Sequence, residues 1–258
     1  MNKLYLFIFL LIIVITLFLV LIWYCIMNYQ NIYTKRPIKR NNMWKYIDKL
    51  ETGDLFITGI LKGKTKFEAG HVGMIVKYNG KCCLLESINI DRCRQNKSVI
   101  DDNYKTGPKL YYLEDELKLS NEVRKRKKCY DTLLIRKLNY DKLKMTPEEL
   151  KKKIMSELKI FRDSNSRFEK KYNLYPFAIL GSLFWYIPNG GMSNIANIFP
   201  TSYNHDGYFC SEFIPLLMQR LGLLDYKYNA RIFWPQFLTD NFNYLEKGLY
   251  TKDLFFYY

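Results

Sequence analysis

The sequence predicts an α+β domain behind an N-terminal membrane anchor, and three stretches carry that expectation. Residues 4–27 contain no charged side chain. Asn79–Gly80 divides two apolar runs, the strongest short-range signal of a β-hairpin. Cys210–Ser211–Glu212 opens an apolar segment, 214–224, with residues suited to a helix start: Ser211 as a cap and Glu212 in the first turn.

The charge-free run is long enough to cross a hydrocarbon core of ~30 Å, and Trp23 and Tyr24 suit an interfacial belt. Residues 1–27 are therefore expected to form a transmembrane anchor. A cleaved signal peptide fits less well, because the apolar region is too long and no small-x-small site precedes Asn28. Lys35, Arg36, Lys39, Arg40 and Lys45 follow the run, against Lys3 and the amino terminus before it. By the positive-inside rule the domain faces the cytosol, which makes a single-pass membrane protein the expected localisation. Residues 28–42, polar and basic with Pro37, read as a tether. Residues 43–258 read as one domain, long enough to bury a sizeable core.

Within that domain, residues 44–50 suggest a short helix feeding a strand at 50–57, and residues 59–70 a loop rich in glycine and lysine. Residues 109–113 and 131–136 read as strands, and the five cations at 124–128 as a solvated surface. Thr146–Pro147–Glu148–Glu149 is a helix start, with Thr146 as cap, Pro147 at the first position and Glu149 closing a capping box. That helix is expected to run to about Arg162 with Leu150, Ile154, Leu158 and Phe161 on one face. The apolar run 173–186 is too short to span a bilayer and reads as a core helix.

A two-residue type I′ loop at Asn79–Gly80 pairs Tyr78 with Lys81, Ile75 with Leu84, Gly73 with Glu86 and His71 with Ile88. His71 and Glu86 then share a face as diagonal neighbours with Cβ atoms roughly 7 Å apart, and Gly73 leaves room for the carboxylate to lean toward the imidazole. That is the arrangement of a base and the group that orients it. Cys210, at a helix N-terminus, has the placement a thiolate nucleophile needs, since unpaired N–H groups and the helix dipole lower the thiol pKa. The helix is expected to start near Ser211, which sets Pro215 at about its fourth position. If the helix packs on the His71 face, Cys210, His71 and Glu86 form a nucleophile, base and orienter. His205, the other histidine, is a rival base, but within Asn-His-Asp-Gly it reads as a turn residue.

Four segments in order resemble the circularly permuted NlpC-type cysteine peptidases, papain-like proteins in which the Cys-bearing helix follows the His-bearing sheet. Gly53–Asp54–Leu55 is similar to that family's opening strand, His71–Val72–Gly73 to its histidine strand, Leu84–Leu85–Glu86–Ser87 to its third, and Phe209–Cys210–Ser211–Glu212 to its helix start. Gly70 departs from the pattern, where a small polar residue often precedes the histidine. The resemblance covers about residues 50–225 and implies a papain-like α+β fold, a small antiparallel sheet on the Cys helix, and thiol hydrolase chemistry. The related lecithin retinol acyltransferase-like proteins use the same layout to move acyl groups, so the substrate stays open among peptide, amide and lipid.

The net charge of +15 favours anionic partners such as lipid head groups; nucleic acid is disfavoured because no zinc-finger spacing or other nucleic-acid motif occurs. The expected partners are thus a membrane, through residues 4–27, and an acyl, peptide or amide substrate. The six cysteines show neither metal-site nor disulfide spacing, and no cofactor or metal is expected. Free thiols in a reducing compartment follow.

Overall fold

In the computed structural model of the chain, Asn79 and Gly80 take φ of 49° and 74°, the left-handed values a two-residue I′ loop requires. They join β4 (Lys66–Tyr78) to β5 (Lys81–Ile88) in the expected register, Tyr78 opposite Lys81 and Ile75 opposite Leu84. The structure describes residues 3–29, 31–33, 37–88, 98–100, 107–126, 131–162, 210–228, 230, 233, 235–240 and 244–257. The segments 173–186 and 124–128 (beyond the helical backbone to 126) and His205 lie outside the described residues.

Around this hairpin a mixed sheet of eight strands is built. It adds β1 (Asn31–Tyr33), β2 (Asn41–Asn42), β3 (Leu55–Lys62), β6 (Gly107–Tyr112), β7 (Thr132–Arg136) and β8 (Leu254–Tyr257). The spatial order is β2-β8-β7-β3-β4-β5-β6, with β1 pairing on the start of β4. Among the described strands only β2 and β8 run parallel. Two expectations change here. Residues 59–70 form most of a long antiparallel pair rather than a loop, with the turn confined to the residues between Lys62 and Lys66. Residues 28–42 contribute β1 and β2 to the sheet.

Five helices are described: α1 (Lys3–Tyr29), α2 (Leu113–Arg126), α3 (Tyr140–Leu143), α4 (Pro147–Arg162) and α5 (Cys210–Arg220). Strand alternation gives the sheet two apolar faces. One, with Leu55, Val72, Met74, Val76, Leu85 and Leu134, packs against Leu150, Ile154, Leu158 and Phe161 of α4 and Phe213, Ile214 and Leu217 of α5. The other, with Phe56, Ile75, Leu84, Tyr111 and Phe256, is covered by Met43, Ile47 and Leu50 and by Leu113 and Leu117 of α2. The capping box of α4 forms as expected: Thr146 N–H donates to Glu149 Oε2 at 2.8 Å, and Glu149 N–H to Thr146 Oγ1 at 3.2 Å. Residues 44–50 hold two 3-10 turns, Met43–Lys45 and Ile47–Lys49.

The transmembrane helix expected before the domain is overturned, and the single-pass membrane localisation with it. Among the described residues, no helix is long and apolar enough to cross a membrane. In α1 the described side chains, residues 5–20, are exposed and, Thr16 apart, aliphatic or aromatic.

Candidate active site

Residues 53–55 set the frame from which the site is built. Asp54 is buried and accepts the N–H groups of Glu51 and Leu138, both at 2.9 Å, so it ties the entry to β3 to the end of β7. Burial pushes its carboxyl up to about 6. Its work is structural. β3 then pairs with β4, placing Thr58 opposite His71 and Phe56 opposite Gly73.

Glu86 extends from β5 on the same sheet face as His71, and its Oε2 lies 2.6 Å from His71 Nε2. Gly73 makes this possible: a Cβ there would stand 3.3 Å from Glu86 Cβ and 2.7 Å from Leu84 Cδ1. The Tyr111 hydroxyl, from β6, donates to the other oxygen, Glu86 Oε1. Tyr111 pairs with Leu84 and Lys109 with Glu86, so tyrosine and glutamate are diagonal neighbours on one face. Sequence reasoning found the β6 strand but missed Tyr111, because its partner depends on how β6 registers against β5. All three side chains are buried.

The thiol arrives from the other layer. The β4–β5 ladder ends at Met74–Leu85, short of the expected Gly73–Glu86 pair. Ile75 exchanges both its backbone bonds with the β3 side, with Gly53 and Asp54, so by alternation Val72 points its N–H toward the side β5 has left. The Cys210 sulfur lies against that N–H and against the His71 imidazole, near enough for each to act on its charge. The expectation that α5 packs on the His71 face is therefore corrected. The apolar side of α5 covers the opposite face, and the thiol meets the imidazole where the two strands part. The helix begins at Cys210, one residue earlier than expected, with Pro215 inside it.

These contacts set the charges. Burial alone disfavours a charged His71, but the adjoining Cys210 and Glu86 more than offset it and raise the imidazole to about 10. For Cys210 burial again opposes the charge, and His71 together with the Val72 N–H prevails, holding the thiol below its ordinary value. With Nε2 engaged by Glu86, Nδ1 is the nitrogen left for the thiol. Cys82 and Cys83 contrast sharply: burial pushes both up, Cys83 to about 12. Among the three described free cysteines, Cys210 alone has the environment of a nucleophile.

Among the described residues no group of three or more His, Cys, Asp or Glu could hold a metal ion. A cavity of about 940 Å³ is lined by Arg136, Tyr228, Asp240, Tyr244 and neighbours, and neither Cys210, His71 nor Glu86 borders it. No protein-family model matches the chain, and no curated protein matches its sequence.

Proposed function

We propose that the protein is a cysteine hydrolase, a peptidase or amidase, that works through an acyl-Cys210 intermediate. The observation that carries this reading is the continuous set of contacts from Cys210 to His71 to Glu86. The Cys210 thiolate attacks the substrate carbonyl carbon, forming the C–S bond while the π electrons move to oxygen. The backbone N–H of Cys210, at the N-terminus of α5, is suited to hold that oxyanion. The His71 imidazolium then gives its Nδ1 proton to the leaving amine as the C–N bond breaks. His71, now neutral, takes a proton from water, whose oxygen attacks the thioester carbon; the C–S bond breaks, releasing the acid and returning the Cys210 thiolate beside the His71 imidazolium. Glu86 keeps Nε2 protonated and the ring directed at the sulfur throughout. A hydroxyl or amine in place of water would make the same intermediate that of a lipid acyltransferase; a lipid ester in place of the amide, its alcohol leaving and water still the acceptor, would make it that of a phospholipase.

The test is intact-protein and peptide mass spectrometry after incubation with peptide and lipid extracts. An acyl mass on Cys210 that is absent in His71→Ala is expected, and its chemistry names the substrate class. A Cys210 that acquires no acyl mass, and that iodoacetamide alkylates no faster than Cys82, would leave a non-enzymatic scaffold as the reading.

A further inference from the structure

Glu86 is the least exposed member of the set, and a glutamate side chain has three torsions to fix before its oxygens are placed. Its two oxygens are claimed from opposite directions, Oε2 by His71 of β4 and Oε1 by the Tyr111 hydroxyl of β6. The neighbouring strands thus hold the carboxylate from both sides. A further charged group beside this carboxylate is Lys109, opposite Glu86 in the register and buried. The Tyr111 ring belongs to the apolar cluster with Ile75 and Leu84, which fixes its hydroxyl independently of Glu86.

We infer that Tyr111 is a positioning residue of the site: its hydroxyl fixes the Glu86 carboxylate so that the opposite oxygen holds His71 toward Cys210. This rests on the thiol hydrolase reading. On this reading Tyr111 acts on His71 and the thiol through Glu86, to which its hydroxyl donates. Hydrogen bonds to an ionised, water-excluded group are among the stronger ones, so removing one is felt at the far end of the chain of contacts.

The experiment is alkylation of Cys210 by iodoacetamide, followed site by site by mass spectrometry from pH 5 to 10, in wild type, Tyr111→Phe, Glu86→Gln and the double variant. Phenylalanine keeps the buried ring, and thermal melting checks that each variant folds. Tyr111→Phe is expected to slow labelling at neutral pH about tenfold, the usual scale for a charge-assisted bond, and to move the acid limb of the profile upward. In the Glu86→Gln background the same change is expected to alter the rate by less than about twofold, because its target is already gone. A wild-type profile in Tyr111→Phe overturns the inference, as does an equal effect in both backgrounds, which marks a merely structural role. A wild-type Cys210 no more reactive than Cys82 overturns the hydrolase reading itself.

Discussion

Gly73 stands where the strands β4 and β5 begin to part, and its missing side chain is occupied space. A Cβ there would lie 2.7 Å from Leu84 Cδ1 and 3.0 Å from the Leu85 carbonyl oxygen. Gly73→Ala is expected to cost about 1–3 kcal/mol, the usual range for overpacking, and to push Glu86 away from His71. Chemical denaturation would measure the first effect and the rate of Cys210 labelling the second. Loss of stability with unchanged labelling would show that Glu86 does not need this space. The charges give a second expectation. His71 is raised from 6.5 to about 10, so the stabilisation from its charged form is fully present below 6.5 and gone once the pH passes about 10. Cys210 lies below its ordinary 9.0, so its contribution is present above that value and is lost as the pH falls through the lowered one. Catalysis needs both ions, so kcat/KM should show a broad optimum with its alkaline limb near 10. An alkaline limb near 6.5 would mean that the ion pair does not exist.

Elements differ in how much of their structure is written locally. In α4 the start, the cap and the buried face all lie within 17 residues of sequence, and Thr146, Leu150, Ile154, Leu158 and Phe161 take their expected places. Thr146→Ala should cost about 1 kcal/mol by freeing an N-terminal N–H, and a drop in melting temperature of a few degrees would register it; no change would mean that Pro147 alone fixes the start. The β4–β5 turn was legible for the same reason, since Asn79 and Gly80 carry their φ preference with them. What the sequence did not disclose depends on distant partners. The strand character of Gly59 to Lys62 comes from pairing with Lys66 to Ala69, across a turn whose lysines look like a loop. Tyr111 finds Glu86 only after β6 has registered on β5, and no local pattern specifies that register. Likewise, the meeting of Cys210 with His71 requires the ladder to end at Met74, a fact about the third dimension rather than about either motif.

At the scale of the whole molecule, the last described strand is fastened by charge. Asp253, just before β8, accepts the Asp240 N–H at 3.0 Å, Asp240 accepts the Asp253 N–H at 3.1 Å, and Arg136 of β7 lies 3.6 Å away. Burial first, and then the charge of Asp240, push Asp253 up to about 8, while Arg136 acts in the opposite sense. Its native pKa lies above the ordinary 3.8, so the folded chain keeps a proton that the unfolded chain has released between those values. Stability therefore falls as the pH rises from 3.8 to about 8. Asp253→Asn retains the oxygen acceptor and offers Asp240 an N–H in place of that proton. It should flatten the dependence and raise the melting temperature at pH 8 by roughly 2–4 °C, about what 1 kcal/mol is worth in a domain of this size. A lower melting temperature at pH 8 would show instead that the ion pair with Arg136 outweighs the burial of the charge.

The place of β8 between β2 and β7 also bears on how the protein is made. Leu254 to Tyr257 leave the ribosome after the other described strands, yet they bridge the sheet's earliest edge to its middle. Until they emerge, Leu133 to Ile135 offer an unpaired edge, and the mixed sheet must wait for contacts between residues some two hundred positions apart. Such long-range pairing is slow to form. A nascent chain therefore carries Cys210 well before β8 has emerged to join the sheet.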